Sequence, residues 1–303
     1  MSTPTPAPRT YDWTQVDVFA ERAIEGNMLA IFTDARGLSG AEMQALARET
    51  NLSETTFILP AGEATERTEG VRVRIFTVEE ELPFAGHPTL GTASWLYLNH
   101  PALRGSAEIK LKLNVGTIPV RFTSPAPGEA GVFGEMRQRE PEFGPRPDPA
   151  SIAEACGISV NDLHPALMPQ TVSTGLPFCI VPVASVEAMQ RIRPTPALQP
   201  ILAAHGAKFI YAITPVNGST WRARMPFYGG DDPATGSAAG CAISYLVHHK
   251  AVPHAAQIAM QQGIEVRRPS LISLRASLIN DTVTDVFVAG RTIPVATGRF
   301  ILP

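Results

Sequence analysis

Pro88-Thr89-Leu90-Gly91-Thr92-Ala93 and Pro233-Ala234-Thr235-Gly236-Ser237-Ala238 are two copies of one pattern, P-x-x-G-[ST]-A. Each copy follows a residue able to carry a proton or hydrogen-bond a ligand, His87 in the first and Asp232 in the second. Each then runs into an apolar stretch of helical character. Two matched helix starts, each with a polar group at its mouth, describe a site built between two related halves.

The flanking sequence repeats in the same order, and an internal repeat fixes the architecture before any local reading does. Gly26-Asn27-Met28-Leu29-Ala30-Ile31-Phe32, Met43-Gln44 and Arg72-Val73-Arg74-Ile75-Phe76 lead into the first copy. Gly175-Leu176-Pro177-Phe178-Cys179-Ile180-Val181, Met189-Gln190 and Arg222-Ala223-Arg224-Met225-Pro226-Phe227 lead into the second. From Gly26 to Gly91 is 65 positions and from Gly175 to Gly236 is 61, so the two series stay nearly in step.

A chain of 303 residues exceeds the ~100–200 typical of one domain and accommodates two lobes. Hydrophobic content of 44% with 17% charged residues describes an ordinary soluble globule, and a formal charge of −3 gives no general attraction to nucleic acid or anionic membrane. Met1 to Thr10 is rich in Pro and Thr, lacks the apolar stretch of a signal peptide, and reads as a flexible tail. No apolar run approaches the ~20 residues of a membrane helix. The expectation is a cytoplasmic protein without nucleic-acid or membrane partners. Cys156, Cys179 and Cys241 are too scattered for a disulfide framework or clustered zinc site and read as buried apolar residues. The His248-His249 pair follows an apolar helix and reads as structural. Metal-site, P-loop and dinucleotide motifs do not occur, so neither metal nor nucleotide cofactor has support.

Locally, Trp13 to Phe19 and Ala30 to Thr33 read as strands, and Ser39 to Thr50 as a helix with Ser39 at its N-cap and Glu42 three residues later. Thr56 to Leu59 and Val71 to Phe76 return to a β pattern. Pro88 and Pro233 each suit a first helical turn. The small residues that follow let the helix be closely surrounded by a curved sheet. Thr123 to Ala150, dense in Pro and Gly, reads as the crossing between lobes, and Asp148 to Cys156 as helix-capable. Val283 to Val288 and Arg299 to Leu302 read as strands, one of them a candidate to return to the first lobe.

Asn51-Leu52-Ser53-Glu54-Thr55-Thr56-Phe57, Glu81-Leu82-Pro83-Phe84-Ala85-Gly86-His87-Pro88 and Gly230-Asp231-Asp232-Pro233-Ala234-Thr235-Gly236-Ser237-Ala238 closely resemble the signature segments of the phenazine-biosynthesis PhzF-like family. Val16-Asp17-Val18-Phe19 and Gly26-Asn27 resemble it too, so the likeness spans nearly the whole chain. Met28, where relatives often have Pro, and Asp231, where they often have Glu, are mild departures. The resemblance implies an α+β, diaminopimelate epimerase-like fold of two pseudo-symmetric lobes, each a sheet curled around a central helix. The lobes are expected at 11–123, completed by 291–303, and at 128–290. A homodimer and the use of no cofactor are implied as well.

Carried over by position, the resemblance makes Glu54 the general acid/base, with Gly86, His87, Asp232 and Ser237 around a small anionic substrate. The physical chemistry is compatible. A carboxylate base works on a weak carbon acid best when burial raises its pKa toward neutrality. Helix N-termini offer N–H groups and positive dipole ends to a carboxylate or developing enolate. On the residues alone, Glu54 also reads as a surface acid, His87 as a packed turn residue and Asp231-Asp232 as N-capping charge. Thr92, the counterpart of Ser237, reads as a helix cap, and Asp17, Asn27 and Arg72 as structural. Epimerases of the implied fold use a pair of cysteines at the two helix mouths. Here the mouths carry Gly86-His87 and Asp231-Asp232, with Cys241 a turn inside, which disfavours two-thiol chemistry. The reading is an isomerase, with trans-2,3-dihydro-3-hydroxyanthranilate the substrate the family suggests. A non-catalytic binder of small carboxylates is the alternative.

Overall fold

In the computed structural model, residues 8–126, 128–227 and 230–302 are described. The repeat read from the sequence is a repeat of structure. In the first half, strand Asn27–Phe32 leads through helix Gly40–Thr50 to the parallel strand Glu54–Leu59. Strand Val71–Phe76 then leads through helix Gly86–Asn99 to the parallel strand Glu108–Leu113. The second half does the same. Strand Pro177–Pro182 connects through two short helices to the parallel strand Phe209–Asn217, and Thr220–Arg224 connects through helix Gly236–His248 to the parallel strand Ile258–Gln262. The repeated sequence landmarks fall on corresponding elements.

Eight strands close a ring in the first lobe. From Arg9–Val18 they run through Asn27–Phe32, Glu54–Leu59, Val71–Phe76, Glu108–Leu113, Gly116–Thr123 and Val132–Arg137 to Thr282–Leu302, which pairs back onto the first. The long last strand also pairs with Ser270–Ile279, so it is the seam from which the second lobe's sheet continues. Closing the sheet removes exposed edges from the first lobe. Each lobe wraps its sheet around one long helix, Gly86–Asn99 or Gly236–His248, and both helices are buried on nearly every face. A helix apolar or small on all sides belongs inside a core.

Several details differ from the sequence reading. The first strand starts at Arg9, inside the stretch expected to be a flexible tail; residues 1–7 of that tail lie outside the described residues. The Pro- and Gly-rich crossing contains strand Val132–Arg137, which lies beyond the expected boundary at 128 yet pairs with Gly116–Thr123 and Thr282–Leu302 in the first ring. Its alternating burial supplies the reason: every second side chain points into the barrel. The two expected C-terminal strands are parts of one, Thr282–Leu302. Ser39 caps its helix in a full capping box with Glu42. Among the described residues no helix is long and apolar enough to cross a membrane.

Close packing sets the limits on the central helix. At Gly91 an added Cβ would lie 2.7 Å from Leu29 Cδ2 and 2.7 Å from Val18 Cγ2, both on barrel strands. Gly91→Leu is therefore expected to destabilise the protein by about 1–3 kcal/mol through overpacking, read as a lowered midpoint in urea unfolding with unchanged slope.

Candidate active site

The two central helices meet at their N-termini. A Cβ at Gly86 would stand 3.1 Å from the backbone N of Ser237, so the first residue of one helix is packed against the opening turn of the other. The copies open differently, however. Pro88 lies within the first turn of its helix, but Pro233 lies outside the second helix, which begins at Gly236. The segment before it is held from outside. Gln262 Nε2 donates to Asp232 O and Thr235 Oγ1, both at 2.8 Å, and Gln262 Oε1 accepts from Thr235 N at 3.1 Å. These side-chain bonds replace the helical ladder and splay Asp232 toward the first lobe.

A cavity of about 720 Å3 opens over this junction, and Glu54, Gly86, His87, Asp232 and Ser237 all line it. Glu54 opens strand Glu54–Leu59, where it stands opposite Leu29. His87 is the second residue of its helix, and its Nε2 lies 3.5 Å from Glu54 Oε2. Burial pushes the His87 imidazole down to about 3, against the pull of a hydrogen bond with the Met28 backbone. The ring is neutral at physiological pH. Burial, and after it the nearby charge of Asp232, pushes Glu54 up to about 8. The contact therefore joins a neutral imidazole to a carboxyl that holds its proton at pH 7, and it is no ion pair. Among the described residues neither Glu54 Oε2 nor His87 Nε2, both buried atoms, has a hydrogen-bond partner. The Glu54 side chain keeps 14% exposure, enough to be reached from the cavity.

Asp232 is the most constrained of the five. Its Oδ1 accepts from Asn27 Nδ2 at 2.8 Å and its Oδ2 from Thr235 Oγ1 at 2.5 Å. Burial raises its pKa to about 6, while the hydrogen bonds from Thr235 and Asn27 work against that rise. Near neutral pH the site thus holds one ionised carboxylate, one carboxylic acid and a neutral imidazole. Environments that separate the pKa values of neighbouring groups are the arrangement acid/base chemistry uses.

Asn27 reads from the sequence as structural, yet it touches two of the five site residues, Asp232 and His87, and Ala234 as well. Its Nδ2 also donates to Ala234 O at 3.0 Å and lies 3.4 Å from His87 Nδ1. It ties the first lobe to the mouth of the second helix. Its place after Gly26, the counterpart of Gly175, gave no chemical signal by itself, because Leu176 stands at the matching position of the second copy. Asn27→Leu leaves Asp232 Oδ1 and Ala234 O without this donor in a buried setting. The expected cost is about 1–3 kcal/mol in denaturant unfolding, with the Asp232 pKa moved further upward in a carboxyl NMR titration.

Two further readings, those of Asp231 and Thr92, are corrected here, and those of Asp17, Arg72 and the cysteines hold. Asp231 caps no helix; it pairs with Arg224 at 2.9 Å. Thr92 lies inside its helix and exchanges a hydrogen bond with Thr56 Oγ1 at 2.9 Å, so it is not a cap. Asp17 is buried against Arg268 at 2.7 Å, whereas Arg72 is bonded at the surface to Lys112 O and Asn114. Cys241 is buried, its thiol pushed up to about 11, so no thiolate stands at either helix mouth. Cys156 and Cys179 are buried and unpaired.

The phenazine biosynthesis-like protein family, PhzC-PhzF, matches residues 16–298. The chain belongs to this family. It is 35% identical to the trans-2,3-dihydro-3-hydroxyanthranilate isomerase of Pseudomonas aeruginosa, over 95% of this chain and 98% of that protein. A solved structure of a predicted epimerase from Pseudomonas aeruginosa is 37% identical, with a TM-score of 0.81 over 96% of this chain and 99% of the other. A hydroxyproline epimerase from Agrobacterium vitis shares the fold at 8% identity, with a TM-score of 0.65 over 97% and 93% of the two chains. The fold is diaminopimelate epimerase-like, and this PhzF-family chain is an isomerase.

Proposed function

We propose that this chain is a cofactor-independent isomerase in which Glu54 moves a proton on a small carboxylate-bearing substrate. The observation that carries the reading is a carboxyl with its pKa near 8 whose side chain keeps 14% exposure and lines a cavity at the junction of two helix N-termini. In the ionised form Glu54 takes a proton from a carbon next to an unsaturated system, forming a carboxylic acid. The electron pair left on carbon spreads through the conjugated system as an enolate-type anion. Backbone N–H groups at the openings of the two helices, with the Ser237 hydroxyl, stabilise that charge. The Glu54 acid, exchanging its proton with solvent through the side chain's 14% exposure, then delivers a proton to a different carbon, so a double bond shifts and the carboxylate is regenerated. Neutral His87 holds the substrate without competing for the proton, and Asp232 orients it as a hydrogen-bond acceptor.

The first compound to try is trans-2,3-dihydro-3-hydroxyanthranilate, on which the Pseudomonas aeruginosa relative is named as acting. Incubation with the wild type in D2O should consume it and place deuterium at one new carbon centre, on one face, as followed by proton NMR. Binding without any exchange would instead leave a carboxylate-binding protein on the same fold.

A further inference from the structure

The segment 263–269 joins strand Ile258–Gln262 to strand Ser270–Ile279 in the second lobe. Both of its ends reach the site. Just before its start, the Gln262 amide holds Asp232 O and Thr235. Gly263, at φ +77°, packs so closely there that an added Cβ would stand 2.5 Å from Pro233 O. Near its end, Arg268 crosses to the first lobe. Its Nε donates to Gly26 O at 3.0 Å, and its Nη2 donates to Glu25 O at 2.6 Å and Asp17 Oδ1 at 2.7 Å. Gly26 N in turn donates to Pro269 O at 2.9 Å, and Arg268 N donates to Gly263 O at 2.9 Å, tying the two ends of the segment together.

Asn27 follows Gly26 directly, and its Nδ2 donates to Asp232 Oδ1 at 2.8 Å. The contacts form a closed circuit. It runs from Asp232 through Gln262 and the segment to Arg268, on to Gly26 and Asn27, and back to Asp232. Asn27 also opens the strand on which Leu29 stands opposite Glu54. The first-lobe side of the circuit is held in a strained shape. Ile24 stands at φ +71°, and its N–H donates at 2.7 Å to Oδ2 of buried Asp17. A β-branched residue at positive φ is costly and persists only where its surroundings fix it. A single ion pair would be enough to neutralise Asp17; the guanidinium fork of Arg268 reaches two backbone carbonyls besides.

We propose that Arg268 is a positioning residue: by holding the Glu25 and Gly26 carbonyls it sets where Asn27 meets Asp232, and so aligns Asp232 of the second lobe with Glu54 and His87 of the first. The proposal rests on the isomerase reading only for what that alignment does to turnover.

The test is a carboxyl NMR titration of the full chain, with the Asp232 signal assigned through Asp232→Asn. Arg268→Lys keeps the positive charge and can keep the pair with Asp17, but an ammonium has no fork to hold both carbonyls. Asn27 then loses its fixed approach, and Asp232 should bind its proton about tenfold more tightly, as a carboxylate does on losing a hydrogen bond. The titratable groups that act on Asp232 or share its partners are Glu54, Asp231, Tyr211 and His87. Among the described residues Arg268 bonds to none of them. In an Asn27→Leu background the same Arg268→Lys change should move the titration no further, because the contact it positions is already gone. An Arg268 that only stabilises the fold leaves the Asp232 titration of Arg268→Lys at the wild-type position. One that acts by another route gives shifts that add in the double variant. Either result overturns the proposal. Turnover of trans-2,3-dihydro-3-hydroxyanthranilate by the same proteins is read separately. A shifted titration with no turnover even in the wild type sinks the isomerase reading and keeps the role of Arg268, whereas turnover with an unmoved titration sinks that role alone.

Discussion

Glu54→Gln lowers the rate of deuterium exchange into substrate by about 10²–10⁴-fold, the range positioned acid/base groups contribute. The substitution keeps the shape of the side chain and removes only its capacity to accept and return a proton. No neighbour takes over. His87, with its pKa near 3, stays neutral and is a weak base. Asp232 has both carboxylate oxygens engaged, by Asn27 and by Thr235. Since Glu54 must ionise to accept the proton and its pKa is about 8, wild-type kcat/KM should climb with pH and level off above about 8. The residual activity of Glu54→Gln should lack that limb. A variant that exchanges at the wild-type rate, or a limb that persists in it, removes Glu54 from the role of base.

The paired helix starts were legible because sequence repeats are direct records of repeated structure, and the order of the matched landmarks in the two halves follows from them; most strands of the second half were not read. What escaped the sequence was set by long-range pairing. Val132–Arg137 lies in a Pro- and Gly-rich stretch, and only its partners Gly116–Thr123 and Thr282–Leu302 make it a barrel strand. Pro233 looks like Pro88 locally, but Gln262, from a distant strand, holds the chain out of the helix there. Asn27 gives the same lesson in the site. An asparagine at the start of a strand carries no chemical signature until Asp232, 205 positions away, is bonded to it. Glu54 and His87 were placed by the resemblance of their segments to a family; their spacing in the chain did not itself bring them within 3.5 Å.

The pH dependence of stability tests the same buried acid without any substrate. The folded chain holds the Glu54 proton up to about 8, whereas the ordinary value is 4.5. Between those limits the folded state binds more protons than the unfolded one, so stability falls as pH rises. Glu54's stabilising contribution is complete below 4.5 and is lost by the time pH has passed about 8. Asp232 adds a decline of the same sign between 3.8 and about 6. Glu54→Gln cannot ionise and loses only the first of these. Relative to wild type, it should therefore gain on the order of a few kcal/mol between pH 5 and pH 8.5, tempered by the 14% exposure through which water reaches the carboxylate. Urea unfolding of both proteins at pH 5, 6.5 and 8.5 measures the gap directly. If the two stability curves run parallel, the Glu54 carboxyl ionises at an ordinary pH. The predicted rise in kcat/KM toward pH 8 must then fail as well, because one buried proton accounts for both.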